Sequence, residues 1–443
     1  MRSRSSNAQW HARVWRLSTP VILANLSPPL VGLADTAVMG RMPDASYIAA
    51  VAVGATATSS LYWLFGFLRM GTTARVAQAL GADDSVELQT SCLRAAALAM
   101  AVAAITLAVA PMLLFLAERA FASEPEVDAL SQAYLRIRLL GLPAYLLQLV
   151  FIGTLFGMQR MTLAMLLMMG LNGMNLILDL TFVIGFGWGV EGVAWGTVLS
   201  EWLILVVTVP LVARLIRVRG PMDWMRFWQP AEWQALFGMS RDLFIRTFFV
   251  QLPFLVNAAL AARLGSAVLA GNAILMQFFF VGTFALDGVA HAAESLAGYA
   301  VGRNDRDYLR KTLGYCGFWA VLFALMLSLF FAAAADPLIQ AMTNIESVAT
   351  SAKAYFGWIV ALPVLGVSAF LFDGLFIGAG AARQLRNAMI KAAIAYLATV
   401  ALTLSILGNT ALWLGMAVFM LTRSIVLAQA YPALATQLSL REA

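Results

Sequence analysis

Long apolar stretches recur along almost the whole chain, and each is long enough to cross the hydrocarbon core of a membrane as a helix. A transmembrane helix needs about 20 mostly apolar residues, and charged, glycine or proline breaks divide this sequence into about twelve such stretches. The predicted spans are 17–40, 47–70, 92–116, 135–158, 162–185, 191–214, 243–264, 267–300, 313–335, 354–379, 388–408 and 411–434. The pattern therefore predicts an all-α protein with about twelve transmembrane helices.

The composition supports this fold class. Of the 443 residues, 61% are hydrophobic and only 12% are charged, whereas a typical soluble domain has about 25% charged residues. The mean hydropathy is +0.82. A transmembrane barrel would show short segments of alternating polarity in place of these continuous runs. The chain is therefore expected to be an integral membrane protein whose partner is the lipid bilayer.

The basic residues follow the distribution that sets the orientation of membrane proteins. The net charge is +6, and Lys and Arg are concentrated in alternate loops, as the positive-inside rule describes. The predicted cytoplasmic side collects Arg2, Arg4, Arg13, Arg16, Arg75, Arg94, Arg160, Arg214, Arg217, Arg219, Arg226, Arg303, Arg306, Arg310, Lys311, Arg383, Arg386 and Lys391. This predicts a multi-pass protein of the inner (plasma) membrane with both termini in the cytoplasm. Because membrane topology accounts for the positive charge, no nucleic-acid partner is expected.

The two halves of the chain resemble each other at an offset near 221 residues. The sequence GADD at 81–84 returns as GRND at 302–305, and GTLFG at 153–157 returns as GLFIG at 374–378. Each half holds six spans, so both halves enter the membrane in the same direction and form parallel repeats. Secondary transporters often have this plan, with a binding cavity between two lobes.

The repeat predicts a division of the chain into two lobes around a central cavity. The stretch between the halves contains Pro221, Pro230 and several tryptophans, which is typical of a linker at the membrane interface. The predicted domains are an N-terminal lobe at 1–216, a cytoplasmic linker at 217–238 and a C-terminal lobe at 239–443.

Two aspartates lie inside predicted spans of the first half, together with two polar residues at a similar depth. A charged side chain at the membrane centre costs about 2.5–3.5 kcal/mol on insertion scales, so such residues usually face a cavity and have a function. Asp35, Asp179 and Thr197 each lie five or six residues from the predicted outer end of a span. At 1.5 Å per residue, all three lie about 8–9 Å below the outer surface. Asn175 precedes Asp179 by one helical turn and shares its face.

These four residues are predicted to form a proton or cation site in the outward half of the N-terminal lobe. Two carboxylates that approach each other cannot both ionise cheaply, so such a pair can take up a proton on one side and release it on the other. Sodium bound by the same four residues is the alternative. The purely structural alternative is that each acid only forms a hydrogen bond to a neighbouring helix. No other metal and no cofactor is expected.

The second half has a different set of charged residues inside its spans. Asp287, Glu294 and Asp373 lie on spans that run inward, in the predicted cytoplasmic half of the membrane. Arg246, early in span seven, is predicted to be a salt-bridge partner at that depth. His291 lies about one turn from Asp287 and from Glu294. For these secondary candidates, structural pairing and a part in transport both remain open.

Seven segments distributed along the chain have the pattern of one transporter family. They are 30–40, 54–81, 172–179, 190–197, 285–302, 362–389 and 407–413. Within them, FDGLFIG at 372–378 is followed by Arg386 and Asn387. These segments resemble the multidrug and toxic compound extrusion (MATE) family of antiporters, and most closely its DinF-like subfamily. The resemblance covers essentially the whole chain.

The resemblance implies roles for individual residues. In DinF-like members a span-one aspartate takes part in proton coupling, and a span-five aspartate, a preceding asparagine and a span-six threonine complete the polar site. The matching positions here are Asp35, Asp179, Asn175 and Thr197. A proline that the family links to bending of span one corresponds to Pro20, and a proline removes the i→i−4 hydrogen bond that would oppose a bend.

The NorM-like branch of the family instead binds a cation through a span-seven glutamate and a span-ten aspartate. Asp373 matches the aspartate, but Val250 and Gln251 stand where the glutamate is expected, which weakens the case for a NorM-type sodium site. The resemblance implies export of lipophilic, often cationic, small molecules by proton-coupled antiport through alternating access, with sodium as the alternative ion. We expect the protein to be a monomer.

Other function classes fit these residues less well. A lipid or lipid-linked-precursor flippase of the same wider superfamily would have a more cationic cavity, whereas the candidate site residues inside the predicted spans are mainly acidic. A major facilitator transporter would have a basic, glycine-rich loop where residues 80–84 are LGADD. An intramembrane enzyme would need a catalytic motif, yet Asp179 has no GxGD context and the sequence contains no HExxH. A channel would show a filter-like loop or a ring of charges. We therefore predict a transporter and not an enzyme.

Overall fold

The computed structural model describes residues 7–25, 27–28, 32, 45–120, 124–217 and 222–439, and their regular structure is helical. The helices of the first half are α1 (Asn7–Asn25), α2 (Ala45–Leu64), α3 (Phe67–Gly81), α4 (Ser85–Ala108), α5 (Ala110–Ala120), α6 (Pro125–Gly157), α7 (Met161–Asp179) and α8 (Gly189–Arg217). Those that follow are α9 (Trp224–Phe227), α10 (Pro230–Leu264), α11 (Ser266–Gly302), α12 (Arg306–Met342), α13 (Glu346–Gly378), α14 (Ala382–Leu407) and α15 (Asn409–Ser439).

Eleven stretches of the described residues are long and apolar enough to cross a membrane. They correspond to predicted spans two to twelve, so the predicted helical membrane fold is confirmed. Span two is divided into α2 and α3, and span three into α4 and α5. Span one begins earlier than predicted, with α1 at Asn7, and its second half lies largely outside the described residues.

The chain forms two compact units. One, which we call the N-terminal unit, comprises Leu23–Leu80 and Asp84–Phe237. The other, the C-terminal unit, comprises Met1–Ile22, Gly81–Asp83 and Gly238–Ala443. The predicted lobe boundaries were drawn from the sequence repeat and remain a prediction. The two compact units are defined instead by which residues pack together. The start of α1, up to Ile22, packs in the same unit as the second half of the chain.

Each unit has its own apolar core. In the N-terminal unit a cluster around Ala50, Tyr134 and Val190 joins α2, α6 and α8. In the C-terminal unit a larger cluster includes Phe331 and Trp413. The N-terminal cluster joins helices that are not neighbours in sequence, whereas the C-terminal cluster draws on all six helices from α10 to α15. The apolar side chains of both clusters are largely removed from the surface.

The repeat is visible in the turns that connect the helices. Asp84 caps α4, because its side chain accepts a hydrogen bond from the Glu87 N–H at 2.9 Å. At the same offset of 221, Asp305 caps α12 by accepting from the Tyr308 N–H at 2.9 Å. The preceding residue in each turn is left-handed, with φ of 56° at Asp83 and 52° at Asn304. Aspartate and asparagine tolerate this conformation better than most residues, which explains the GADD and GRND motifs.

The repeat is also visible in helix packing. Gly153 and Gly157 of α6 lie against the backbone of α3, next to the carbonyls of Arg69 and Thr73. In the C-terminal unit Gly374 and Gly378 of α13 lie in the same way against the carbonyls of Ala290 and Glu294 on α11. Every one of these positions is related to its counterpart by 221 residues. Glycines at a four-residue spacing let two membrane helices approach closely, so the GxxxG pairs are packing residues.

The segment predicted as a linker is held against the N-terminal unit by buried polar contacts. Arg94 of α4 is fully buried, and its guanidinium donates to the backbone carbonyl of Phe227 at 3.1 Å and to that of Arg226 at 2.6 Å. Asp223 caps α9 by accepting from the Arg226 N–H at 3.0 Å. The short helix α9 is therefore fixed on α4.

Candidate functional site

Asp179 is the last residue of α7 and lies where the helix widens. Leu180–Gly185 is π-helical, and the Phe186 N–H donates to the Thr181 carbonyl, five residues back, at 3.0 Å. The sequence predicted one continuous α-helix over this span, so the π turn was missed. Such turns are frequent at functional sites because they interrupt the regular ladder of helix hydrogen bonds. The carboxyl group of Asp179 thus lies at a break in the helix.

Asp179, Asn175 and Thr197 form one hydrogen-bonded cluster within the N-terminal unit. The Asn175 Nδ2 donates to Asp179 Oδ2 at 2.9 Å and to Thr197 Oγ1 at 3.2 Å. The Thr197 hydroxyl donates in turn to the Val193 carbonyl at 3.0 Å. Asp179 is fully buried and Asn175 is 6% exposed. The predicted grouping of these three residues is therefore present in the fold.

A glycine makes room for the carboxyl group of Asp179. Gly196 lies on α8 directly before Thr197, and a Cβ at that position would overlap Asp179 Oδ1. The two carboxyl oxygens thus have different surroundings, since Oδ2 receives the amide hydrogen bond and Oδ1 lies against the Gly196 backbone. A protonated carboxyl group keeps one acceptor oxygen. Asn175 can therefore donate to Oδ2 both when Asp179 is ionised and when Oδ1 holds a proton.

Of the two residues predicted for span one, Pro20 lies within the described residues, and its part in helix bending remains a prediction. Asp35 lies outside the described residues, so its place in the cluster remains a prediction. Pro20 lies inside α1, two residues before the point at which the chain passes from the C-terminal unit to the N-terminal unit. Within the C-terminal unit, α1 lies close to α11, where Gly288 contacts Ser18 and Ile22.

Asp373 in the C-terminal unit has two cationic partners. The predicted salt bridge to Arg246 is confirmed, and Arg423 Nη2 of α15 lies 2.6 Å from the same oxygen, Asp373 Oδ2. All three residues are buried. Arg423 also lies over the rings of Phe370 and Phe419. With both guanidinium groups on one carboxylate, this cluster is an ion-paired crosslink between α10, α13 and α15.

The remaining secondary candidates lie on α11. His291 Nδ1 and Glu294 Oε2 are 3.0 Å apart, and Glu294 is fully buried. Asp287 is half-buried and interacts electrostatically with Arg423. The spacing predicted from the sequence for His291 and Glu294 is thus a direct contact. Their part in transport remains a prediction.

Sequence reasoning missed several charged residues that the fold buries. Arg138 of α6 and Glu201 of α8 form an ion pair, with Nη2 and Oε1 3.0 Å apart, and Arg423 completes the Asp373 cluster. Each lies inside a predicted span, where any charged residue indicates a buried partner. That signal was present in the sequence, but the comparison of depths selected Asp35, Asp179 and Thr197 and left out these three residues.

Comparison with known proteins is consistent with this arrangement. The model of the MatE family matches residues 20–181 and again residues 243–404. The chain belongs to the MatE family. One matched segment lies in each half of the chain, in agreement with the sequence repeat. As a MatE protein, the chain is a membrane transporter and not an enzyme.

Two curated relatives place the chain within the MatE family. It is 36% identical to DNA damage-inducible protein F of Escherichia coli K12 over 417 residues, covering 94% of this chain and 90% of the relative. It is also 29% identical to the multidrug resistance protein NorM of Aliivibrio fischeri over 324 residues, covering 69% and 67% of the two chains. The much longer and closer match to the E. coli protein supports the DinF-like resemblance.

A solved structure supports the MatE fold. A multidrug resistance MATE family transporter of the MOP superfamily, captured in an outward-facing conformation, matches with a TM-score of 0.87. The match covers 97% of each chain at 20% sequence identity. At this identity the likeness concerns the fold alone.

Proposed function

We propose that this protein exports lipophilic small molecules, mainly cationic ones, by proton-coupled antiport through alternating access. The observation behind this proposal is the buried Asp179, whose carboxyl oxygen is bonded by the neutral Asn175 amide at 2.9 Å. The resemblance to DinF-like antiporters, and a NorM relative named as a multidrug resistance protein, support the substrate class. The proposed location is the inner membrane, with both termini in the cytoplasm.

The cluster geometry suits a group that gains and loses a proton. A bare carboxylate at hydrocarbon depth is costly, and either a proton or a cationic substrate reduces that cost. The carboxylate needs only one of these positive charges, the proton or the cationic substrate, at a time, so the two compete. Competition of this kind is the basis of antiport, because entry of the proton favours release of the substrate. Asp35 is proposed to share the site with Asp179, as the sequence predicts.

The hydrogen-bond directions favour a proton over sodium. Hard cations are bound by several oxygen ligands that converge on the ion. Here the amide of Asn175 presents its nitrogen, and not its oxygen, to both Asp179 and Thr197. The Thr197 hydroxyl proton is directed to a backbone carbonyl. Sodium binding would require the amide to turn over, so proton coupling is the simpler assignment.

Efflux from proteoliposomes under separately imposed gradients tests the proposal. With a panel of cationic, neutral and anionic lipophilic dyes, an inward proton gradient should drive export of the cationic dyes, and a sodium gradient at constant pH should not. Asp35→Asn and Asp179→Asn should each abolish the proton-driven component while the protein still elutes as a folded species. Export driven equally well by sodium, or near-normal exchange in both variants, would contradict proton coupling at this site.

A further inference from the structure

The last two turns of α8 carry a basic pocket on their surface. This open pocket has a volume of about 580 Å³ and is lined by Pro210, Ala213, Arg214 and Arg217. Both arginines are exposed and lie in the last turn of the helix, on the predicted cytoplasmic side. All four residues belong to the N-terminal unit. No described residue of the Asp179 cluster lines the pocket.

Within the described residues, the two guanidinium groups of this pocket have no acidic partner, since no ion pair there includes Arg214 or Arg217. The nearby linker shows the opposite arrangement, because Arg226 of α9 forms ion pairs with Asp84 and Glu87. Like charges on neighbouring positions of one helix face repel each other. An anion between Arg214 and Arg217 would therefore be favourable.

An apolar stripe on α8 leads into the pocket. Trp202, Val206 and Pro210 precede Arg214 at four-residue intervals, so they form a stripe that turns slowly around one side of the helix. Trp202 is 41% exposed and Val206 is 70% exposed, and Pro210 is exposed as well. In a membrane span, an exposed apolar stripe of this kind faces lipid chains. The surface that contacts lipid is thus continuous with the basic pocket.

Exposed tryptophans mark the membrane interface near the pocket. Trp224 begins α9 and Trp228 follows it, and they are 62% and 68% exposed. Tryptophan is enriched at the level of the lipid head groups. The end of α8 and α9 are both held on α4, because Gln89 donates to the Ile216 carbonyl at 2.9 Å and Arg94, five residues further on, donates to the linker. Five residues span about 7.5 Å of helix, so the pocket and these tryptophans lie at a similar depth.

We propose that this pocket binds the head group of an anionic phospholipid of the cytoplasmic leaflet. The phosphate lies at Arg214 and Arg217, and one acyl chain lies along Val206 and Trp202. Guanidinium groups bind phosphate oxygens through strong charge-assisted hydrogen bonds, and basic pockets on the cytoplasmic side of membrane helices suit acidic head groups. A soluble phosphate compound would leave the apolar stripe unused. The assignment does not depend on which ion or compound the protein transports.

Native mass spectrometry of the intact protein in a non-ionic detergent tests the assignment. The protein is titrated with dioleoylphosphatidylglycerol, which is anionic, and in parallel with zwitterionic dioleoylphosphatidylcholine. Each basic residue near an anionic lipid strengthens binding about fivefold, so the first phosphatidylglycerol should bind about 25-fold more tightly than phosphatidylcholine. Equal binding of the two lipids would overturn the proposal. Glycerol 3-phosphate, which has no acyl chain, should not displace phosphatidylglycerol at equal concentration. Displacement would identify a site for soluble anions instead.

Three arginine variants locate the site. Arg214→Gln and Arg217→Gln remove one charge each at an exposed position, and each should weaken phosphatidylglycerol binding about fivefold. Neither should change the binding of phosphatidylcholine. Arg160→Gln is the matched control, because Arg160 is also exposed on the predicted cytoplasmic side of the N-terminal unit but does not line the pocket. An equal loss in Arg160→Gln would show a general attraction to the basic surface and would contradict a site on α8.

Discussion

Two buried aspartates of this transporter differ in what surrounds them. In the N-terminal unit the Asp179 carboxyl is bonded by a neutral amide at 2.9 Å and has a glycine beside its other oxygen. In the C-terminal unit two guanidinium groups share one oxygen of Asp373. Protonating Asp373 would leave two buried cations without that counter-ion, whereas the amide of Asn175 can bond either form of Asp179. The same residue type thus crosslinks helices in the C-terminal unit, whereas in the N-terminal unit its surroundings suit the proton coupling that we propose.

Removing the charge of Asp373 or of Asp179 should give the largest difference between the two sites, in the stability of the protein. Asp373→Asn should destabilise the protein by about 3–5 kcal/mol, the usual cost of leaving a buried ionic partner unpaired. Asp179→Asn should lower the thermal unfolding midpoint much less, because asparagine still offers an acceptor to Asn175. Unfolding of both variants in the same detergent measures this difference. Equal destabilisation would break the comparison between the two sites.

The space beside Asp179 gives the next largest effect. Gly196→Ala places a methyl group against the Asp179 carboxyl, and overpacking of this kind costs about 1–3 kcal/mol. Proton-driven export should therefore fall by about tenfold or more, since 1.4 kcal/mol corresponds to a factor of ten. Gly173→Ala is the matched control, because a Cβ there meets nothing within 4 Å. If both variants lost export activity to a similar extent, the loss would come from the change of glycine to alanine in a helix and not from contact with the Asp179 carboxyl.

The hydroxyl of Thr197 should make a smaller contribution. Thr197→Val removes the acceptor for one Asn175 hydrogen bond but leaves the bond from Asn175 to Asp179. One hydrogen bond contributes about 1 kcal/mol, so the rate of proton-driven export should fall about fivefold. Thr208→Val on the same helix is the control, because the Thr208 hydroxyl bonds only its own helix, at the Ile204 carbonyl. An unchanged rate in Thr197→Val would remove this residue from the site.

A third aspartate, outside the membrane spans, should show the smallest effect. Burial alone would raise the pKa of Asp84, but the Glu87 N–H and the Arg226 guanidinium outweigh it and lower the pKa below its usual value. The resulting stabilisation is present above the unfolded value of about 4 and is lost as the pH falls through the lower folded value.

Asp84→Asn keeps the helix cap and isolates the charge of Asp84. Its unfolding midpoint should therefore fall slightly less than that of the wild type between about pH 6 and pH 3. The difference should be small, because the ion pair with Arg226 is partly exposed. A large effect would show that guanidinium pairing at this surface is as important as it is at Asp373.

The sequence predicts the helices and the Asp179 cluster for simple reasons. Apolar run length determines where the spans lie, and short loops make neighbouring spans antiparallel. Counting residues from each loop then places Asp179 and Thr197 at one depth. Helical periodicity adds Asn175 to the same face. These relations are local, so they need no knowledge of which helices pack together.

Most of the features that the sequence did not predict depend on non-local packing. Arg423 is 50 residues from Asp373, and Arg138 is 63 residues from Glu201, so neither pairing follows from periodicity. The π turn after Asp179 depends on local geometry that apolar patterning does not encode. The grouping of α1 with the C-terminal unit is also non-local, since Gly288 of α11 makes room for Ile22.

Because of that grouping, the N-terminal segment of the chain packs with the second half of the sequence and not with the rest of the first half. The start of α1, up to Ile22, is part of the unit formed mainly by residues 238–443, although the rest of the first half, apart from Gly81–Asp83, forms a separate compact unit. The second half of the sequence therefore does not contain the whole of its own compact unit. A fragment beginning at Gly238 would leave the surface around Gly288 uncovered, and complementation by a separate peptide spanning α1 would be needed to restore it.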